Sequence, residues 1–147
     1  EVCLLVAGEI QFPYRHWPIH RIFEDLDFMP DTQELLNHVT KLHGINVEIL
    51  TSMGTHDPFQ ANLARTQKLK WLDEKNIPYK ANFVRAKPEK AKFANDHSIL
   101  IDDSIGCITP FVEAGGHGIL HSDDAIKETL FKLDRIIESL TNEYLLS

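Results

Sequence analysis

Five short apolar runs, each separated from the next by a stretch with helical spacing, constrain this chain more than any other feature. They are VCLLV (2–6), INVEIL (45–50), YKANFVRA (79–86), SILID (98–102) and HGILH (117–121). A run of this length bounded by loop residues reads as a buried strand. Strands alternating with helices build right-handed βαβ units, so the expected fold is α/β. It is Rossmann-like, with a parallel sheet of about five strands and helices on both faces. The 147 residues carry no internal repeat, low-complexity tract or linker and are read as a single domain, 1–147.

The intervening segments supply the helices. Asp31 or Thr32 can cap a helix whose Leu35, Leu36, Val39 and Leu42 recur at helical spacing, and Gly44 ends it. Asp57 and Pro58 open a helix over 57–76. Its core face is expected at Phe59, Leu63, Leu69 and Leu72. Pro88 starts a short helix over 88–94, and the two glycines after FVEA stop another. The last helix shows a stripe of Ile126, Leu130, Leu133, Ile137 and Leu140.

Charge bounds the partners. The net charge of -7 and pI near 5.5 argue against general nucleic-acid binding and against an anionic membrane surface. A phosphate can still be held in a local pocket. Cys3 and Cys107 stand far apart in apolar surroundings, which favours a reducing, cytoplasmic setting over a disulfide framework. No apolar run approaches the roughly 18 residues of a membrane span. The N-terminal EVCLLVAGEI lacks the basic start and cleavage signal of a secretory peptide.

Side chains at the carboxyl ends of neighbouring parallel strands converge, and that is where open α/β sheets bind ligands. Three segments carry suitable groups there. Thr51 and Ser52, followed by Gly54, offer hydroxyls and backbone N–H groups that can cradle a phosphate. Asp102 and Asp103 are hard oxygen ligands suited to Mg²⁺, although Asp103 could equally cap the helix that follows. Lys87, Lys90 and Lys92 lie on or near the short helix before that strand, and one of them can reach a phosphate as a point charge. The eight histidines show no zinc spacing: His16 and His20 are separated by Pro18, and His97, His117 and His121 flank strands as packing or surface residues. Asp25 and Asp27 form a DxD in a loop and read as turn and helix-entry residues.

The succession VEILTSMG, PEKAKFA, SILIDDS, FVEAGGHGILH resembles the haloacid dehalogenase superfamily. Within it, the pattern is similar to small 5'(3')-deoxyribonucleotidase-like phosphatases, including compact phage-type versions. The resemblance implies a haloacid-dehalogenase-like fold without a large cap domain. It implies that Thr51, with Ser52 beside it, and Lys90 bind phosphate, and that Asp102 and Asp103 hold Mg²⁺.

Members of this family use an aspartate nucleophile at the end of the first strand and a second aspartate two residues on as general acid/base. This chain departs from that pattern. Aligning Gly8 of CLLVAGEI with the family glycine puts Leu5 at the nucleophile position and Ala7 at the acid/base position. Leucine cannot attack phosphorus and alanine cannot move a proton. Mg²⁺, for which the nucleophile is normally a ligand, is expected to bind weakly or not at all. Between residues 10 and 30 only a short aromatic segment occupies the place of a cap. Its Tyr14, Arg15 and Trp17 can cover a pocket mouth, or simply seal a sheet edge. The expectation is an inactive pseudophosphatase that binds a phosphorylated small molecule, a nucleotide or a protein partner. The alternatives are an active Mg²⁺-dependent nucleotidase and an assembly protein with a vestigial pocket.

Overall fold

The structure is a computed structural model that describes residues 2–8, 31–122 and 125–146. Five strands form one wholly parallel sheet: β1 (Val2–Ala7), β2 (Ile45–Ser52), β3 (Lys80–Val84), β4 (Ser98–Asp102) and β5 (His117–Leu120). Their order across the sheet is β3-β2-β1-β4-β5. The chain winds outward from β1 to β3, then returns to β1's other side for β4 and β5. The order reverses between β1 and β4, the switch point at which such sheets open a crevice.

Handedness then assigns the helices to faces. The crossovers through α1 (Thr32–Val39) and α2 (Pro58–Glu74) run in one direction and lie on one face. The return through a 3-10 helix (Lys87–Phe93) and the next crossover through α3 (Ile105–Glu113) lie on the other. The final helix, α4 (Ile126–Leu146), packs beside α1 on the first face.

The two faces bury separate cores because strand side chains alternate. Leu4, Val6, Ile49, Ile99, Ile101 and Ile119 meet Leu35 and Val39 of α1 and Leu133 and Leu140 of α4. Leu5, Leu50 and Leu100 point the other way, onto Cys107, Ile108 and Phe111 of α3. β1 and β4 are buried at almost every position, which is why they read as unbroken apolar runs. Each fully buried leucine or isoleucine here is worth about 1.5–3 kcal/mol relative to exposure.

Two glycines fix the exit from α3. Gly115 takes φ +100°, and a Cβ on Gly116 would collide with the Phe111 ring. Only glycine serves both needs, which accounts for the GG that stops the helix.

The helices differ from expectation in three details. The segment 87–93 is 3-10 rather than α. Asp31 makes no side-chain capping bond to α1; its carboxylate goes to His121 instead. The inward face of α2 is Ala64, Gln67, Lys68, Trp71 and Leu72. Phe59 at 73%, Leu69 at 45% and Leu63 at 37% exposure point outward. Apolar spacing misphased this helix because its inner stripe includes two polar side chains that reach into the sheet.

Candidate functional site

Parallel pairing brings the ends of β2, β1 and β4 side by side. β1 pairs with both neighbours, Ala7 lying level with Leu50 and Val6 with Ile101. One further residue along these registers reaches Thr51 on one side and Asp102 on the other. The three strand ends expected to carry the chemistry are therefore adjacent.

Leu5 does not stand at that end. It lies two residues inside β1, level with Glu48 and Leu100, and is 2% exposed in the core beneath α3. The residue that completes β1 beside Asp102 is Ala7, fully buried. Glu9, two residues further on, lies outside the described residues, as do Tyr14, Arg15, Trp17, Asp25 and Asp27.

Asp102 is wholly buried. Its Oδ2 accepts a 2.7 Å hydrogen bond from Lys90 Nζ, whose side chain is also 0% exposed. Its Oδ1 accepts from the backbone N–H of Ser104, 3.1 Å away, at the entry to α3. Of the three lysines considered around the 3-10 helix, Lys90 is the buried one. Lys92 sits 3.6 Å from Glu89 on the surface. Asp103, by contrast, is half-buried.

On β2, Thr51 is wholly buried and Ser52 nearly so. Ser52 Oγ accepts from the Gly54 N–H at 3.2 Å, closing the turn in which Gly54 takes φ +74°. Thr51 Oγ1 accepts a 2.9 Å hydrogen bond from Lys68 Nζ of α2, which also donates to the Ser52 carbonyl at 2.9 Å. This contact of Lys68 with a candidate site residue is one that sequence reasoning missed. Phasing α2 on its inner Ala64 and Trp71 would have found it; phasing on the larger apolar residues turned it outward.

The lysines approach from opposite faces. Alternation puts Thr51 on the face of Ile49, under α2, and Asp102 on the face of Leu100, under α3 and the 3-10 helix. Gln67, next to Lys68 and 5% exposed, leaves its Oε1 without a hydrogen-bond partner among the described residues.

His121 is the second residue whose place was not foreseen. It is buried just past β5, with its N–H donating to the Asp102 carbonyl at 2.8 Å. Its ring is held at both nitrogens: Nδ1 lies 2.7 Å from Thr129 Oγ1 of α4, and Nε2 lies 3.2 Å from Asp31 Oδ2. The imidazole thereby ties the start of α1 to β5 and α4.

Mg²⁺ fits this donor set poorly. Both oxygens of Asp102 are engaged, and Ala7 has no side-chain oxygen to share a cation with it. No group of three or more His, Cys, Asp or Glu that could hold a metal occurs among the described residues. What gathers around the end of β1 instead is two hydroxyls, two ammonium groups and a carboxylate, joined by the hydrogen bonds described above. A separate cleft of about 380 Å³, lined by Val2, His43, Ile45, His97, Ile137 and Leu140, opens near the strands' amino ends, away from these groups.

No protein-family model matches the chain. No curated protein matches it in sequence. In structure it is similar to a D,D-heptose 1,7-bisphosphate phosphatase from Burkholderia thailandensis, with a TM-score of 0.53. The match covers 90% of this chain and 85% of that one. The two share an α/β, Rossmann-like architecture, a five-stranded parallel sheet here with helices on both faces. At 15% identity the likeness is one of architecture alone.

Proposed function

We propose that the protein is a pseudophosphatase: a haloacid-dehalogenase-like domain that binds a phosphorylated ligand at the ends of β2, β1 and β4 without hydrolysing it. One observation carries the reading. The residue that ends β1 between Thr51 and Asp102 is Ala7, while the groups that would receive the phosphate remain around it. Covalent phosphoryl transfer needs an oxygen nucleophile in line with the leaving group. The alignment on Gly8 gives Leu5 at the nucleophile position and Ala7 at the acid/base position, Ala7 is the last residue of β1, and neither side chain has an oxygen. The ligand class is a phosphomonoester, a nucleoside monophosphate included, or a phosphorylated segment of a partner protein.

The support from Mg²⁺ chemistry points the same way. In a phosphatase of this fold the cation would neutralise the phosphoryl group and rest on the Asp102 pair, and here Lys90 already occupies Asp102. Removing a nucleophile leaves only the rate that positioning and electrostatics provide.

The test is phosphate release from a panel of nucleoside monophosphates and aryl phosphates, with and without Mg²⁺, beside the shift in Tm caused by inorganic phosphate. The expected result is no release above background together with a phosphate-dependent rise in Tm. Robust Mg²⁺-dependent turnover, abolished in Asp102→Ala, would establish an active nucleotidase instead. Absence of both turnover and a phosphate-induced shift would leave the domain as an assembly protein.

A further inference from the structure

We infer that a small organic oxyanion binds in a cleft between the first half of α2 and the ends of β2 and β3, where Arg65, Arg85 and Asn62 receive it. The ligand class is a carboxylate or phosphate head on a short apolar body. The inference stands apart from the pseudophosphatase reading, because it uses none of Thr51, Lys90 or Asp102.

The argument begins with space. The cleft has about 210 Å³ and is lined by Met53, Pro58, Ala61, Asn62, Arg65 and Arg85. Sites for drug-sized molecules run to roughly 300–1,000 Å³, so this one suits a smaller ligand. Met53 and Arg85 directly follow β2 and β3, so the cleft opens at the carboxyl ends of the strands, where open α/β sheets take ligands. Two hydrogen bonds fix that wall. The Met53 N–H donates to the Val84 carbonyl at 2.8 Å, and Ser52 Oγ donates to the Arg85 carbonyl at 3.4 Å. The opposite wall is the start of α2, held by its own cap: Asp57 Oδ2 accepts the Gln60 N–H at 3.0 Å.

The second step concerns charge. The chain carries 22 acidic against 15 basic residues, yet both charged side chains in the cleft are arginines and no Asp or Glu lines it. Neither guanidinium pairs with a carboxylate among the described residues. A cleft lined by one sign of charge over apolar walls concentrates counter-ions, and Met53, Pro58 and Ala61 supply those walls. The narrow volume and the net charge of -7 exclude a polyanion such as nucleic acid.

The third step concerns donors. An exposed arginine ordinarily trails in water or pairs with an acid. Arg65 is placed differently: its guanidinium lies over the Phe83 ring, 5.3 Å from the centroid. That contact orients the cation without spending it on a carboxylate. Each guanidinium offers five N–H donors in a planar fork that matches the paired oxygens of a carboxylate or phosphate. Asn62 adds a side-chain amide. The Thr66 hydroxyl takes its backbone carbonyl at 2.9 Å, so the amide N–H groups stay available to the ligand.

The experiment follows the Nε–H signals of Arg65 and Arg85 in the ¹⁵N-labelled full chain, assigned with Arg65→Lys and Arg85→Lys. The chain is titrated with phenyl phosphate and, separately, with benzoate; benzyl alcohol is the uncharged control. Both arginine signals should move and saturate with at least one anion and stay fixed with benzyl alcohol. The anion that binds more tightly identifies the head group. Lysine keeps the charge and loses the fork, so each variant should weaken that anion about fivefold or more, read from the remaining arginine signal. Both arginines are exposed, so the variants should keep the Tm of the unmodified protein. Arginine signals unmoved by either anion, equal movement with benzyl alcohol, or affinity unchanged within about twofold in both variants would overturn the inference. If phenyl phosphate moves the backbone signals of Thr51 and Lys90 while the arginine signals stay fixed, this site falls and the pseudophosphatase reading stands.

Discussion

At the residue scale, the polar groups buried at the strand ends are held in pairs whose members depend on each other. Lys90 and Asp102 form a wholly enclosed ion pair at 2.7 Å. Removing one partner of such a pair strands the other charge, so Lys90→Met should cost about 3–5 kcal/mol in urea unfolding. Cys107 sits beside this pair. Burial pushes its thiol up from 9.0 to about 12, with Lys90 pulling the other way and Asp102 adding to the rise. The unfolded chain would ionise that thiol near pH 9 and the folded one only near pH 12. Its contribution to stability is thus complete below pH 9 and lost as the pH rises from about 9 to about 12. Tyr79, also raised by burial, adds to the alkaline loss. Alkaline unfolding followed by circular dichroism should be shallower in Cys107→Ala, and in the native protein the half-buried Cys3 should alkylate before Cys107. The places of Thr51, Ser52 and Asp102 at strand ends were legible because apolar runs that stop at a polar side chain announce themselves. Lys68 was not, because a lysine on a charged helix looks solvated until its neighbours' phase is known.

At the scale of elements, β1 decides where chemistry would happen. The alignment on Gly8 puts Leu5 at the nucleophile position and Ala7 at the acid/base position, while β1 itself ends at Ala7, beside the ends of β2 and β4. Ala7→Asp should put a carboxylate beside Asp102 and raise Mg²⁺-dependent phosphate release above that of the unmodified protein. Leu5→Asp should give no activity and lower stability by about 3 kcal/mol or more, since it buries a charge among Leu50, Leu100 and Cys107. Phosphate release and Tm measured on both variants separate the two positions. The alternation of strand and helix was readable in full, together with the faces of α1 and α4, because each has one apolar stripe. The face of α2 was not, since its inner residues are small or polar and its bulkiest apolar side chains are exposed. His121 shows the same difficulty at β5: nothing local marks a histidine as the tie between Asp31 and Thr129. His121→Ala leaves both of those groups without it and should cost about 1–3 kcal/mol by chemical denaturation.

At the scale of the whole molecule, a parallel sheet whose strand order reverses between β1 and β4 brings residues more than ninety positions apart to one rim, and two helical layers send one lysine each toward it. The architecture is shared with a solved phosphatase, and the central proposal is that this rim receives a phosphoryl group without transferring it. The measurement that addresses the claim most directly is a crystal structure grown with a saturating phosphomonoester. The account predicts an intact ester with its phosphoryl oxygens at Thr51 and Lys90 and its phosphorus facing Ala7. A phosphoryl group covalently attached to the chain, free phosphate left after hydrolysis, or an ester bound away from these strand ends would contradict it.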